Sequence, residues 1–130
     1  MTILGLDWKG GRFAHPLDIV DVPHKPGVFK LHARRGSGEW EVFYVGQAQN
    51  LYSILLAYLG TIVEGDPQAA GINACAKARV EADEVAYSYA VVEDETERQG
   101  CLRSLYEYFR PVCNSPEQIP AVDNVACNPY

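Results

Sequence analysis

Cysteines and histidines are the side chains best suited to chemistry in this sequence, and neither set is spaced as a metal site. The four cysteines contain no C-x-x-C pair, the spacing that places two thiolates on one turn to begin a zinc tetrahedron; they are Cys75, Cys101, Cys113 and Cys127. No ligand spacing connects the three histidines, which are His15, His24 and His32. The pattern favours four unpaired thiols, with a disulfide or a metal site as the alternative, and we expect no metal and no cofactor.

The balance of charge disfavours nucleic acid as a partner. Eleven Lys and Arg face seventeen Asp and Glu, so the formal net charge is -6. Binding a phosphate backbone draws most of its affinity from basic side chains, and an acidic protein repels such a backbone overall. One candidate cationic cluster exists, for which a solvated surface is the favoured interpretation; it consists of Arg34, Arg35, Lys77 and Arg79.

Length and hydropathy fit one compact domain of 130 residues. No apolar run approaches the roughly 20 residues that a membrane helix needs. The first residues lack the basic and apolar regions of a secretory signal, so we expect a cytoplasmic location and no membrane partner.

The elements that would position a site follow from periodicity and turn residues. Residues 27–34 and 39–46 predict a β-hairpin, and residues 84–92 a third strand. Residues 69–79 and 94–109 predict two helices, the second after a capping box at Asp94 and with close packing against a sheet at Gly100. Asn50 is the expected N-cap of the clearest helix, whose apolar stripe is Leu51, Ile54, Leu55, Tyr58, Leu59 and Ile62.

The predicted order β-β-α-α-β-α gives an α+β fold, a small three-stranded antiparallel sheet flanked by helices. Residues 2–8 and 12–14 predict an N-terminal β extension, two short strands around a glycine turn. Residues 115–130 hold several prolines and predict an irregular C-terminal tail. The expected organisation is therefore an extension at 1–23, a domain at 24–114 and a tail at 115–130.

Four segments in this order resemble the GIY-YIG family. Residues 25–29 read KPGVF and resemble the K-P-G-V-Y opening of its excision-repair branch. Residues 43–51 read FYVGQAQNL and resemble Y-I-G-K-A-x-N-L. Tyr58-Leu59 falls where the family often has an aromatic pair, and residues 105–114 resemble its L-I-x-x-x-x-P-x-x-N ending. The resemblance spans about two-thirds of the chain and implies the same fold.

The resemblance also implies a mechanism, which the residues here do not support. Family nucleases hold a divalent metal on a glutamate of the last helix, use a tyrosine toward the attacking water, and offset phosphate charge with an arginine. Tyr44 is retained, but Phe29 replaces the tyrosine of the first motif. The arginine position, ten residues after Tyr44, is Ile54, and the glutamate position, twelve before Asn114, is Leu102.

Charged neighbours do not readily replace the lost groups. Glu97 lies five residues from Leu102, which rotates its side chain about 140° around a helix and onto another face. Mg²⁺ requires near-ideal octahedral geometry, so such a rotation is not easily absorbed. We therefore expect a solvated face for the charged residues of this helix: Glu95, Glu97, Arg98, Arg103 and Glu107.

We accordingly expect a non-enzymatic domain that acts as a protein-interaction or assembly module. Its vestigial cleft would consist of Phe29, Tyr44, Gly46, Asn50, Ile54, Leu102 and Asn114. The three apolar replacements would form an exposed patch for a protein partner. One alternative is a metal-dependent endonuclease with relocated active-site residues, and another is a ligand-binding or nucleic-acid-binding regulatory domain.

Overall fold

The computed structural model describes residues 1–61 and 71–130. In these ranges the strands are β1 Thr2–Leu4, β2 Lys9–Arg12, β3 Gly27–Arg34, β4 Glu41–Ala48, β5 Glu84–Val91 and β6 Val125–Cys127. Four of them form an antiparallel sheet in the order β2-β5-β3-β4. The other two, β1 and β6, pair in parallel as a separate small sheet. The predicted three-stranded antiparallel core is therefore present, extended at one edge by β2.

Helices cover both faces of the four-stranded sheet, and strand alternation assigns each residue to a face. The described helices are α1 Leu51–Tyr58, α2 Ala74–Ala82 and α3 Glu95–Phe109. On β3, Phe29 and Leu31 pack in one buried cluster with residues of α1 and α2. Val28, which precedes Phe29 and therefore points to the opposite face, packs in a second cluster with residues of α3 such as Leu105. The result is an α+β sandwich with two cores separated by the sheet.

Most predicted elements lie where the sequence placed them. The hairpin strands, the third strand and the last helix agree within a few residues, and the Asp94 side chain accepts the Glu97 backbone N–H as predicted. The second helix begins later than expected, at Ala74. The parts of the predicted helices at Ile62 and at Ala69 lie outside the described residues.

The predicted N-terminal hairpin is wrong. Its two strands do not pair with each other, because β1 pairs with β6 and β2 pairs with β5. The glycines lie within β2 rather than in a turn: a Cβ on Gly10 would collide with the carbonyl oxygen of Tyr87 on the adjacent strand. Glycine at position 10 lets the backbones of β2 and β5 approach closely. In a local sequence pattern, a glycine needed for such an approach looks the same as a glycine needed for a turn.

The C-terminal tail is more regular than predicted. It contains a 3₁₀ turn at Pro116–Gln118 and the strand β6. Gly100 of α3 lies under this segment, where an added Cβ would collide with Val125. The close packing expected at Gly100 is therefore against the tail strand β6, not against the main sheet.

The expectation of unpaired thiols is wrong, because the structure pairs all four cysteines. Cys75 of α2 is bonded to Cys113, with a Cα–Cα distance of 5.4 Å, and Cys101 of α3 is bonded to Cys127 of β6, at 5.3 Å. The partners are 38 and 26 residues apart in sequence, so only the fold brings them together. Within the two described ranges, none of the helices is long and apolar enough to cross a membrane.

Candidate functional site

Three aromatic rings occupy the centre of the predicted cleft. Phe29 of β3, Tyr44 of β4 and Tyr58 at the end of α1 have ring centroids 5.9, 6.1 and 6.0 Å apart in the three pairs. The hydroxyls of Tyr44 and Tyr58 are hydrogen-bonded to each other, and the Tyr58 oxygen accepts the backbone N–H of Asn73 at 2.9 Å. Burial raises the pKa of both tyrosines, so both phenols remain protonated at neutral pH. The cluster is a packed, hydrogen-bonded core element.

Gly46 is required by this packing. The residue is buried on β4 opposite Phe29, and a Cβ built on it would lie 2.5 Å from the Phe29 ring. Any larger side chain would displace the phenylalanine ring from the cluster. The glycine of the second motif therefore has a steric role in this chain.

Asn114 closes the open edge of the sheet. β4 is an edge strand, so one side of its backbone lacks a neighbouring strand. The Asn114 side chain accepts the Val45 N–H and donates to the Val45 carbonyl, each at 2.9 Å, and the Cys113 N–H donates to the Phe43 carbonyl at 3.0 Å. These bonds take the place of a fifth strand at the centre of β4.

Asn50 is the N-cap of α1, as predicted. Its side-chain oxygen accepts the Ser53 backbone N–H at 3.0 Å, and its amide nitrogen lies 3.3 Å from His24 Nδ1. The cap satisfies a donor at the start of the helix that has no partner within the helix.

Ile54 and Leu102 lie on opposite faces of the sheet. Ile54 packs in the same buried cluster as Phe29, whereas Leu102 packs in the cluster beneath α3. Neither side chain has a donor or an acceptor, so the metal that the resemblance implies does not fit at position 102. Among the residues that the structure describes, no group of three His, Cys, Asp or Glu side chains could hold a metal ion.

The exposed apolar patch expected at the three replacements is not present. Phe29 is 1% exposed, and Ile54 and Leu102 are each 5% exposed. Apolar side chains at these positions turn inward because the helices pack directly on the sheet, and burial is their favourable state. Among the described residues, the exposed large apolar side chains lie elsewhere: Met1, Ile3, Leu17, Val20, Trp40, Val91, Tyr108, Val112 and Tyr130.

The candidate cationic cluster is neutralised by ion pairs. Arg34 pairs with Glu84 at 2.9 Å, and Lys77 pairs with Glu81 at 3.2 Å. Arg35 and Arg79 both approach Asp83, at 3.6 and 2.6 Å. Four basic side chains thus face three carboxylates, which leaves little net charge to attract a phosphate backbone.

One arginine of α3 departs from the solvated face that was expected. Glu95 and Glu107 are exposed and Glu97 and Arg103 are partly exposed, but Arg98 is only 5% exposed. Arg98 lines a cavity of about 370 Å³ together with Gln47, Ala48, Gln49, Ile54, Gly71, Glu95 and Gln99. The sequence contained a signal for this, because residues 95, 98, 99 and 102 recur at the spacing of one helix face.

Comparison with known proteins identifies the fold. No family model matches the chain, and none of the curated proteins does. Three solved structures of the GIY-YIG N-terminal endonuclease domain of UvrC from Thermotoga maritima are similar to it; they are tyrosine-to-phenylalanine point mutants bound to the catalytic divalent cation. Two have TM-scores of 0.51 at 23% identity and the third 0.50 at 24%. Each similarity covers 75% of this chain and at least 90% of the other.

At this level of identity the similarity establishes the architecture and does not transfer an activity. It agrees with the topology, in which an antiparallel hairpin, two helices, a third strand and a last helix follow in order. The chain therefore has a GIY-YIG-like fold.

Proposed function

We propose that this protein is a non-catalytic GIY-YIG-like domain that acts as a protein-interaction or assembly module. The observation that carries the proposal is the burial of Phe29, Ile54 and Leu102, which occupy the positions of a catalytic tyrosine, arginine and glutamate. The replacement of polar by apolar side chains is by itself enough to remove the catalytic groups. Burial adds that all three side chains take part in packing the two cores.

The surroundings of position 102 support the proposed absence of catalysis. The Leu102 side chain lies in the apolar cluster that also contains Val28, Val45 and Leu105. Leucine has no oxygen or nitrogen with which to hold a divalent cation, and among the described residues no group of three His, Cys, Asp or Glu side chains could do so.

Surface composition supports an interaction role at the two chain segments outside the resemblance. The N-terminal and C-terminal segments pack together: the Asn128 side chain accepts the Leu6 N–H at 2.6 Å, and Trp8 Nε1 donates to the Asn128 carbonyl at 2.8 Å. Beside them Tyr108 is 60% exposed and Tyr130 73% exposed, with ring centroids 6.0 Å apart. Exposed tyrosines are enriched in protein interfaces because each offers a large apolar surface and a hydroxyl.

A partner test follows from this pair. The protein is purified gently from its native source, and the eluate is measured by native mass spectrometry for a stoichiometric protein. We expect Tyr108→Ser combined with Tyr130→Ser to lose that partner. Leu17→Ser, a change at a side chain 70% exposed in a different segment, should keep it. If the wild-type protein from the native source elutes as a lone protomer without a partner, the interaction role is contradicted.

The nuclease alternative is tested separately. Purified protein is incubated with single-stranded and double-stranded DNA in the presence of Mg²⁺ or Mn²⁺. We expect no cleavage above that of a heat-inactivated sample. Metal-dependent cleavage that is lost in Tyr44→Phe would overturn the proposal, because that substitution removes one hydroxyl from a packed ring and leaves the remaining side chain in place.

The cysteines bear on location. A cytoplasmic location was expected from the sequence, but glutathione and thioredoxin keep most cytosolic thiols reduced. Two disulfides that use every cysteine of the chain favour an oxidising compartment instead. We therefore propose that the module works where disulfides persist, and thiol counting in the native protein tests this point.

A further inference from the structure

Arg98 is buried but has few hydrogen-bond partners for its charged side chain. Its Nη1 donates to the carbonyls of Val92 and Glu93, at 3.1 and 3.2 Å, where β5 runs into α3. Its Nε is buried and has no hydrogen-bond partner. Within residues 1–61 and 71–130, no carboxylate forms an ion pair with it. A guanidinium is charged at every physiological pH, so this chain buries a positive charge that its described carboxylates do not neutralise.

The cavity beside Arg98 is built from polar groups that suit an anion. Three glutamines line it: Gln47 of β4, Gln49 just after the end of β4, and Gln99, which follows Arg98 in α3. A glutamine amide supplies two N–H donors and can turn either end toward a ligand. The cavity of about 370 Å³ lies within the usual size range of sites for small molecules.

Glu95 is the one acidic side chain among the described lining residues, and it does not cancel Arg98. Its side chain is exposed to solvent and accepts a hydrogen bond from Gln99 Nε2 at 3.4 Å. Water screens an exposed charge much more strongly than a buried one. Among the described lining residues, the buried guanidinium therefore carries the charge that water screens least.

We propose that this cavity is a binding site for a small oxyanion, the carboxylate or phosphate group of a metabolite, held by Arg98 and by glutamine amides. Arginine is suited to both groups because its planar fork of N–H donors matches two oxygens at once. Such a ligand would compensate the buried charge. Lining residues from β4, α1 and α3 would be fixed together on binding. The proposal goes beyond the interaction module and stands whether or not a protein partner exists.

The experiment follows the Arg98 Nε–H signal by ¹H–¹⁵N NMR during titration of the full chain. Inorganic phosphate is the probe in one arm and succinate in the other. We expect at least one probe to shift this signal and the backbone amides of residues 47–49 in a saturable way, and the arm that responds identifies the group. The absence of a saturable shift in both arms at millimolar concentrations overturns the proposal.

Two charge-matched variants locate the site. Gln99→Glu places a second carboxylate at the cavity and should weaken binding by about tenfold or more. Gln118→Glu makes the same change at an exposed residue that does not line the cavity, and should leave the affinity unchanged. Equal affinity in the two variants would show that the anion binds elsewhere and overturn the assignment. Arg98→Lys keeps the charge but loses the fork, and should also weaken binding. Neither result depends on the partner or cleavage assays, so the two proposals can fail independently.

Discussion

Replacing Cys101 and Cys127 with alanine removes the bond that holds β6 against α3, and its effect on stability can be worked out from the structure. The two residues are 26 apart in sequence, and a cross-link closing a loop of that size lowers the entropy of the unfolded chain. The chain-entropy relation gives a loss of about 3.5 kcal/mol in the free energy of unfolding. For Cys75 and Cys113, 38 residues apart, it gives a loss of about 4 kcal/mol. Domains of this size have about 5–15 kcal/mol in total, so losing both bonds removes a large share.

Two measurements test this. Free thiols are counted in the native-source protein, which is denatured at harvest without reductant and in the presence of the colorimetric thiol reagent. The free energy of unfolding is then measured by urea denaturation for the wild type and for each double alanine variant, without reductant. We expect no free thiol in the wild type and a loss of the stated size in each variant. Addition of reductant should destabilise the wild type by more than either variant, since each variant has only one bond left to lose.

Two results would refute the reasoning. Four reactive thiols in the native-source protein would mean that the bonds do not form in the cell, and the inference about compartment would fall with them. A loss below about 1 kcal/mol in both variants would mean that the bonds do not constrain the unfolded chain as the entropy relation requires. Ser104→Ala is a matched control beside one bond. It removes a hydroxyl that accepts the Cys127 N–H at 3.2 Å, and should cost about 1 kcal/mol.

Three further substitutions probe the site and the sheet. Asn114→Ala removes both hydrogen bonds to the Val45 backbone and should cost about 1–3 kcal/mol in urea denaturation. Gly46→Ala forces the Phe29 ring aside and should cost about 1–3 kcal/mol, with a change in near-ultraviolet circular dichroism. Burial lowers the pKa of Lys30 from 10.5 to about 8, so the unfolded chain holds a proton that the folded chain has lost between these values. The free energy of unfolding should therefore rise with pH from about 8 until the tyrosines titrate, and a flat profile in the wild type, or an unchanged rise in Lys30→Met, would contradict this assignment.

Local patterns were sufficient for the elements of the core. The period-2 alternation of β3 and the helical stripe from Leu51 report which side chains face a core, and both were read directly. Pairings between segments distant in sequence could not be predicted from local patterns. The β1–β6 pair and the Cys101–Cys127 bond join residues more than twenty positions apart, and no local pattern distinguishes them from an exposed strand and an unpaired thiol.

The exposure of the predicted cleft residues was mispredicted. The motif alignment located the aromatic centre of the cleft, where Phe29 and Tyr44 are in contact. It could not indicate that Ile54 and Leu102 fall in different cores, because the sheet that separates them is formed only by tertiary pairing. Arg98 was assigned to solvent by residue type, but its Nη1 donates to the carbonyls of Val92 and Glu93, which lie between β5 and α3.

Residues at the family motif positions divide into two groups in this structure, those with a structural hydrogen bond and those with an apolar, buried side chain. Where the family residue is kept, the side chain has a structural partner: Asn50 with the Ser53 N–H, Tyr58 with the Asn73 N–H, and Asn114 with both backbone groups of Val45. Where it is replaced, at 54 and 102, the new side chain is apolar and buried, and no polar contact depends on it. Loss of a stabilising contact would cost folding free energy in every chain. Loss of a charge whose only role was at a metal or a phosphate would instead relieve a desolvation cost and improve packing. Under the proposed non-catalytic role, we therefore expect the fold to be stable without the activity, and Leu102→Ser, which buries a hydroxyl in the apolar cluster beneath α3, should destabilise this protein.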